Sequence, residues 1–154
     1  MPRKRPPKPR SRPKAASPKV ERVPDDSLEY ESGLMLLGGK PFTGVAFRSH
    51  DDEGWLEREI EYRDGVEWGW KREWGRRERP VRESPMLRGV VHGRERTWHD
   101  NGALATEGEY EYGIALWESS WSEDGALVAR VELAETHPNF ALLQQLRRIY
   151  RQRP

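Results

Sequence analysis

Cysteine is absent from the 154-residue chain, which excludes disulfide bonds, thiol catalysis and cysteine-ligated metal sites. Long apolar runs are absent too, since no stretch approaches the roughly 20 apolar residues of a membrane-spanning helix. The N-terminus is basic, but the apolar segment of a secretory signal does not follow it. We therefore expect a soluble, cytoplasmic protein.

Apolar side chains are scarce as well. They make up 34% of the chain, as do charged residues, whereas about 45–50% apolar residues is usual in globular domains. The chain nevertheless contains seven Trp, five Tyr and three Phe, which is more than a disordered chain carries. These rings predict an ordered body, and the length suffices for one domain.

The net charge of +1 conceals a basic tail on an acidic body. Residues 1–22 hold nine Lys or Arg and one acidic residue, and the remainder holds 18 basic and 25 acidic residues, a net charge of −7. Because proline removes backbone donors and like charges repel, we expect residues 1–27 to form a disordered tail. Its candidate electrostatic contacts are Arg3, Lys4, Arg5, Lys8, Arg10, Arg12 and Lys14.

Two interpretations of this tail stay open. The basic side chains fit nucleic acid, an acidic protein or an anionic membrane surface. Alternatively, the tail is a solubilising leader, because it carries no aromatic side chain to stack on bases and no specific motif.

An internal repeat of 24 residues organises the body. Glycines recur at 65, 89 and 113, and glutamates at 59, 83 and 107. The last unit is one residue shorter, so that Trp74 and Trp98 are followed by Trp121. A period of this length indicates an array of small stacked units.

Turn signals and alternation identify each unit as a β-hairpin. Asp64-Gly65, Asn101-Gly102 and Asp124-Gly125 are typical of tight hairpin turns. Between the turns, apolar and charged side chains alternate as in half-buried strands. We predict a mainly β fold, an elongated antiparallel β-meander of about four 24-residue hairpin repeats over residues 28–135.

The turns also predict the strand register. A two-residue turn at Asn101-Gly102 places Arg96 opposite Glu107 and Arg94 opposite Glu109, and such opposite charges favour pairing. The same turn at Asp64-Gly65 places Arg72 opposite Glu57 and Trp70 opposite Glu59. We expect Trp74 and Trp98 to stack as a cross-strand ladder on this face. The apolar opposite face should collect Leu56, Ile60, Tyr62, Leu104, Tyr110, Leu127, Val131 and Leu133.

A helix should follow the last strand. Residues 136–150 have Pro138 in the first turn and apolar side chains at helical spacing. We expect this helix to cap the Leu/Tyr face near the end of the sheet, with binding of a partner as the alternative. Residues 151–154 should form a disordered end.

The unit resembles the variant MORN repeat, through the segment GRERTWHDNGALATEGEYEYG at 93–113 and the stretch GGKPFTGVAF at 38–47. The resemblance covers about residues 33–133. This part of the chain is similar to bacterial proteins of the YwqK-type antitoxin family. It implies an extended antiparallel sheet that binds a protein. The second unit departs from the pattern, because it lacks the Asp-Gly turn and carries Pro80 and Pro85. We therefore expect a longer loop or an irregular strand near Gly75–Pro80.

No constellation of residues indicates catalysis, and we expect neither an enzyme nor a cofactor. His50 precedes three acidic residues that could ligate a metal, but the same run is typical of a solvated hairpin tip. His92 and His99 should lie at opposite ends of one strand. The glutamate rows have arginines on neighbouring strands, which favours salt bridges over acid–base chemistry.

A protein-binding module is the function that we predict. Its partner would be another protein, with a toxin as the specific form that the resemblance implies. Trp and Arg are the residue types of interface hot spots, and the candidates are Trp70, Arg72, Trp74, Arg76, Arg77, Arg79, Arg94, Arg96, Trp98, Trp117 and Trp121. The alternative is a scaffold that its basic tail attaches to anionic lipid or nucleic acid.

Overall fold

A computed structural model describes residues 20–151 of the chain. The predicted fold class is confirmed, because the chain forms a long sheet of antiparallel hairpins with one C-terminal helix. The strands are β1 (Arg22–Pro24), β2 (Glu29–Glu31), β3 (Leu34–Leu37), β4 (Lys40–Pro41), β5 (Gly44–Ser49), β6 (Leu56–Arg63), β7 (Val66–Gly75), β8 (Arg79–Leu87), β9 (Val90–Val91), β10 (Gly93–Trp98), β11 (Leu104–Glu111), β12 (Ile114–Trp121) and β13 (Leu127–Glu132), and the helix is α1 (Pro138–Arg151).

The long sheet follows the order of the chain. Its ten strands run β1-β5-β6-β7-β8-β10-β11-β12-β13, with β9 paired to β8. Strands β2, β3 and β4 form a separate small sheet, although the sequence pattern assigned them to the repeats. All pairs are antiparallel except β1 with β5. The order of the strands makes β1 and β13 the two edges of the long sheet.

One side of the long sheet carries the predicted tight turns in phase. At Asp64-Gly65, Arg88-Gly89 and Tyr112-Gly113, both turn residues have a positive φ, of 51–53° before the glycine and 79–81° at the glycine. This is the backbone of a type I′ turn, whose twist matches that of the flanking strands. Each turn glycine also donates its N–H to a carbonyl of an earlier unit, at Phe42, Glu67 and Val91.

The other side of the long sheet carries a matching series of β-bulges. In each hairpin one residue of the second strand has no partner, and these residues are Glu57, Val81, Ala105 and Val128. They lie 24, 24 and 23 residues apart, which is the period of the sequence repeat, including its shorter last step. The repeat in the sequence is therefore a repeat of backbone geometry, and each bulge adds local twist to the sheet.

One of the two predicted registers is confirmed. Arg96 lies opposite Glu107, and Arg94 lies opposite Glu109. The predicted two-residue turn is wrong, because His99 donates its N–H to the Ala103 carbonyl and residues 100–102 form a three-residue loop. The bulge at Ala105 offsets the extra loop residue, so the charged pairs keep the predicted register.

The register predicted for the Asp64-Gly65 hairpin is wrong by two residues. Arg72 lies opposite Glu59 instead of Glu57, and Trp70 lies opposite Pro85 of β8 instead of Glu59. The cause is an insertion in β7, where the chain around Gly69 contains two more residues than the facing part of β6. Gly69 has a φ of 105°, a conformation that side-chain-bearing residues rarely adopt.

The predicted irregularity in the second unit is confirmed. A short helical turn, Arg76–Glu78, joins β7 to β8 in place of a two-residue turn, and Arg77 has a φ of 60°. Strand β8 contains Pro80 and Pro85, and its register with β10 extends over only two residue pairs. Proline supplies no backbone donor, which accounts for the sparse pairing of β8 with β10, whereas β8 pairs with β7 over seven residue pairs.

The apolar core lies at the N-terminal end of the long sheet. Phe42, Ala46, Ile60 and Tyr62 are buried together, and the small sheet and β1 cover them with Val23, Leu28, Met35 and Leu37. Ile60 and Tyr62 thus occupy the apolar face as predicted.

The last strand departs from that prediction. Leu127 and Val131 are 60% and 67% exposed, and all six residues of β13 are exposed. Among residues 20–151, strand β13 pairs with β12 and with no further strand, so alternation alone does not bury its side chains.

The tail is shorter than predicted at its C-terminal boundary. Instead of being disordered up to residue 27, the chain forms β1 at Arg22–Pro24 and a helical turn at Asp25–Ser27. Val45 donates its N–H to the Glu21 carbonyl at 2.8 Å. Gly44 makes this approach feasible, because a Cβ there would lie 2.5 Å from the Glu21 carbonyl oxygen. The contact joins segments that are distant in the chain and leaves no local pattern.

The helix is confirmed with shifted ends, since α1 spans Pro138–Arg151 instead of 136–150. Arg151, predicted in the disordered end, is its last residue; helix ends fray and differ by one or two residues. Leu143 is the most buried apolar side chain, at 1% exposure. Tyr150 stacks on Tyr112 with ring centroids 4.6 Å apart. The helix therefore packs beside the Tyr112-Gly113 turn and leaves β13 uncovered. Within residues 20–151, no helix has the length and apolar content needed to cross a membrane.

Candidate protein-binding surface

One face of the long sheet carries a row of alternating charges. The residues that lie opposite one another across successive strands are Phe47, Glu59, Arg72, Glu83, Arg96, Glu107, Ser119 and Arg130. We call these eight positions the charged row and their side of the sheet the charged face. Since opposed residues in an antiparallel pair point the same way, all eight side chains project from one face.

The charged row is held by ion pairs along its length. Arg96 Nε lies 2.9 Å from Glu107 Oε1, and Arg72 Nε lies 3.8 Å from Glu83 Oε1. Arg22 from β1 pairs with Glu59 and lies 4.8 Å from the centre of the Phe47 ring. Exposed pairs of this kind are individually weak, at about 0–1 kcal/mol each, so their main effect is to order the side chains.

At the far end of the charged row, a serine takes the place of a carboxylate. Arg130 Nη1 donates to Ser119 Oγ at 3.2 Å, and Ser119 is buried, with 1% exposure. A small side chain at this position brings the arginine close to the sheet.

Two tryptophans of the charged face, Trp70 and Trp117, contact arginines. Arg94 and Arg130 lie over the Trp117 ring at 5.5 and 4.8 Å from its centre, and Arg72 lies 4.9 Å from that of Trp70. Among residues 20–151, no aromatic pair joins two tryptophans, so the predicted Trp74–Trp98 ladder is wrong. The physical reason is that strand β8 lies between the strands that carry these two rings. Each cation–π contact is worth about 0.5–1 kcal/mol at exposed sites.

The structure brings most predicted binding residues to this one face. By their position in the strands, the charged face includes Trp70, Arg72, Trp74, Arg94, Arg96, Trp98, Trp117 and Trp121. Trp70 is 38% exposed, and the other four rings are half-buried. These residues form a continuous surface of mixed charge with partly accessible rings.

The three remaining predicted residues lie apart from this face. Arg76 and Arg77 belong to the helical turn between β7 and β8, and Arg79 begins β8, so all three lie at the side of the sheet that carries the bulges. Arg79 Nη1 donates to the Asp100 carbonyl at 2.9 Å. Together with His99 they line a shallow hollow between two hairpin tips.

A cluster on Asp25 is absent from the predicted sites. Arg58 Nη2 lies 2.6 Å from Asp25 Oδ2, and Arg48 Nε lies 3.0 Å from the same oxygen. Burial alone would raise the pKa of Asp25, but the hydrogen bonds and charges of the two arginines outweigh it and hold the pKa below its ordinary value. No local pattern in the sequence indicates this cluster, because Asp25 lies in a segment assigned to the tail.

Replacing Asp25 with asparagine should lower the free energy of unfolding by about 1–3 kcal/mol, because both arginines lose a charged acceptor. A carboxyl with a depressed pKa stabilises the fold above its unfolded pKa of about 3.9, and the contribution is lost as pH falls through the folded pKa. Urea unfolding followed by tryptophan fluorescence at neutral and acidic pH measures this.

The neighbouring substitution Asp26→Asn is the control, because Asp26 is exposed. We expect the wild type and Asp26→Asn to lose stability in parallel on acidification, and Asp25→Asn to lose less. Parallel loss in all three proteins would contradict a stabilising role for the Asp25 cluster.

The opposite face is polar in the middle of the sheet. Ser84 Oγ donates to Glu95 Oε1 at 2.5 Å, and the Tyr110 hydroxyl donates to Glu118 Oε2 at 2.5 Å. Burial, followed by this hydrogen bond, raises the pKa of Tyr110 above its ordinary value. Burial and then the charge of Glu67 raise the pKa of Tyr62 to about 12. Tyr110 was predicted to join an apolar face, but its hydroxyl bonds to Glu118 in a polar part of that face. Outside the N-terminal core, Met86, Ile114 and Leu143 are also buried.

The histidines lie at separate places. The His50 ring stacks on Trp55, with centroids 5.1 Å apart. His92 and His99 flank β10, as predicted. In the part of the chain that the structure describes, no three His, Asp or Glu side chains are grouped as a metal site requires. The basic tail residues, Arg3 to Lys14, lie outside the described residues.

Comparisons with known proteins found no similar family or relative. No family model matches this chain, and neither the curated proteins nor the solved structures contain a match. The resemblance to variant MORN repeats stays a prediction.

Proposed function

We propose that this chain is a non-enzymatic protein-binding module and that it recognises its partner through the charged face. The observation that carries the proposal is the charged row, which runs from β5 to β13 with tryptophans beside it. The arginines of the row remain accessible, since the side chains of Arg72, Arg96 and Arg130 are 33%, 44% and 49% exposed. The small sheet packs on the opposite face.

The chemistry of this face favours a protein over a polyanion. Arginine and glutamate alternate along the charged row, so a phosphate backbone would meet repulsive carboxylates at every second step. A protein surface can present both charges in a complementary order, which fixes register and excludes wrong partners. Arginines lie over the rings of Trp70 and Trp117 and order them before binding. Ordering before binding reduces the entropy lost on association.

A toxin is the specific partner that we propose, because the repeat resembles that of YwqK-type antitoxins. An antitoxin role requires a toxic partner, which is a separate test from binding. The captured protein must inhibit growth when it is expressed alone, and co-expression of this chain must restore growth. A harmless partner would leave protein binding in place and remove the antitoxin role.

Paired substitutions on the two faces test the binding surface. The double substitution Trp70→Ala with Arg96→Ala removes accessible groups from the charged face. We expect the affinity for the partner to fall by about 10-fold or more, since hot-spot side chains contribute 2 kcal/mol or more. The control is Lys71→Ala with Glu118→Ala, which changes the opposite face of the sheet at β7 and β12. The partner is captured from the native host with the full chain, identified by mass spectrometry, purified and titrated against each variant.

Three outcomes decide between the functions. Loss of affinity confined to the charged-face variant supports the proposal. Equal loss in both variants contradicts it. Capture that disappears when residues 1–19 are removed, with lipid or nucleic acid as the captured material, favours the tail-anchored scaffold instead. The truncation must start at residue 20, because Arg22 pairs with Glu59 and belongs to the sheet.

A further inference from the structure

The two edges of the long sheet differ in how well they are protected. Strand β1 has three residues and ends in Pro24, which offers no N–H to a further strand. Strand β13 has six residues, all exposed, and no proline. Leu127, Val128 and Val131 are 60%, 67% and 67% exposed. Long, apolar and unpaired edges are templates for another strand.

The pairing of β13 with β12 fixes which backbone groups point outward. Leu133 donates its N–H to the Leu116 carbonyl at 2.8 Å, so the backbone groups of Leu133 and, two residues back, of Val131 point toward β12. The backbone groups of Arg130 and Glu132 therefore point away from the sheet. An added antiparallel strand would have to bond to these two residues.

A second copy of β13 satisfies this requirement in one register with matched charges. If Val131 faces Val131 of the second copy, Arg130 lies opposite Glu132 of the second copy, and the reverse pair forms by symmetry. Shifting the copies so that Arg130 faces itself, or Glu132 faces itself, puts like charges opposite each other, which destabilises a sheet. In the matched register, the outward N–H and C=O groups of both strands bond to each other.

The side chains of this register are complementary as well. Val131, exposed in the single chain, would pack against its own copy, and Ala129 would face Leu133. On the charged face the charged row would continue past Arg130 to Glu132 of the second copy. The helix does not obstruct this edge, because its contacts are directed inward, to Glu111 and Tyr112.

We propose that β13 is a homodimer interface, in which two copies of this chain pair antiparallel about a two-fold axis at Val131 and join their sheets. Charged residues on an edge strand commonly prevent such pairing. Here the two charges are opposite in sign and spaced so that each meets its complement. The proposal does not depend on the binding role of the charged face.

Cysteine crosslinking tests the register, because the native chain has no cysteine. In the full-length protein, Val131→Cys places two thiols at a non-hydrogen-bonded pair, with Cα atoms about 4.5 Å apart, within disulfide reach. Mild oxidation should then convert most of the protein to a disulfide-linked dimer on non-reducing gels. The control is Ala129→Cys, whose two copies would be separated by about 13 Å along the strands.

Charge reversal tests the same pairing without a covalent bond. Arg130→Glu and Glu132→Arg should each be monomeric by sedimentation velocity, because each places like charges opposite each other in the dimer. An equimolar mixture of the two variants should recover the dimer, since positions 130 and 132 of one variant then face opposite charges in the other variant. The pair within one chain, Arg130 Nη2 to Glu132 Oε1 at 3.0 Å, stays broken in both variants, so recovery reports the contact between chains.

The results separate clearly. A wild-type dimer, crosslinking at residue 131 but not at residue 129, and recovery on mixing support the interface. A monomeric wild type at all concentrations tested overturns it, as does a dimer that both charge reversals leave intact. Circular dichroism shows that each variant is folded, and the exposure of these positions predicts no loss of fold.

Discussion

Replacing Leu143 with alanine should lower the free energy of unfolding by about 2–5 kcal/mol, the range for removing a fully buried leucine side chain. Leu143 is 1% exposed and is the buried apolar residue of α1. Alanine favours the helix at least as well as leucine does, so the loss reports packing and not helix propensity. Urea unfolding monitored by circular dichroism measures it.

The adjacent substitution Leu142→Ala is the matched control. It makes the same chemical change one residue earlier in the same helix, at a side chain that is 46% exposed. We expect its effect to stay within about 0.5 kcal/mol. Equal losses at the two positions would show that α1 does not pack through Leu143.

Replacing Ile60 with alanine should also destabilise the fold by about 2–5 kcal/mol, because it opens a cavity in the core cluster. Ile60 is 5% exposed and packs with Phe42, Ala46 and Tyr62 beneath the small sheet. The loss should appear as a lower urea midpoint in tryptophan fluorescence. Because the core lies at one end of the sheet, the variant should also weaken the attachment of β1 and the small sheet.

Ile149→Ala is the control for this substitution, with the same residue type at a position that is 51% exposed. Its expected effect is within about 0.5 kcal/mol. Native-state hydrogen exchange adds a spatial readout, since Ile60→Ala should accelerate exchange in the first strands more than in β11 to β13. Uniform acceleration over the whole sheet would contradict an end-localised core.

The local signals in the sequence predicted the architecture well. Glycine at every 24th position predicted the turns, since only particular residues tolerate a positive φ at both turn positions. The same period with its shorter last step reappears in the β-bulges from Glu57 to Val128. Alternation also predicted that the arginines, glutamates and tryptophans share the charged face, because the period of a strand is two. It was wrong for Leu56, Leu104 and Leu127, since the bulges place them opposite Ser49, Trp98 and Trp121 on the charged face and not on the apolar face.

Features that depend on distant parts of the chain escaped prediction. The two extra residues near Gly69 shift the register of Arg72, and nothing in the pattern of alternation reveals an insertion in one strand alone. Strand β1 lies in a segment assigned to the tail, and its pairing with β5 becomes evident only in three dimensions. Burial also depends on neighbours, so Ile60 and Val131 read alike in sequence but differ in exposure, at 5% and 67%.

The same distinction applies to the functional surface. The arginines and tryptophans of the charged face follow from their phase in the repeat. The Asp25 cluster does not, because it needs the return of the N-terminal segment to the sheet. Nor does the edge position of β13, since β13 is an edge only because no other strand of the described residues pairs with its outer side.

The order of strands in the long sheet has a consequence for folding kinetics. From β5 onward, each strand pairs with strands that precede or follow it closely in the chain. The mean sequence separation of contacts, the contact order, is therefore low for an all-β protein, and low contact order accompanies fast folding. Any hairpin of the array can serve as a nucleus from which the sheet extends in both directions, as in other quasi-one-dimensional repeats. A further 24-residue unit with the same turn and bulge positions would therefore extend the array without changing the pairing inside the other hairpins.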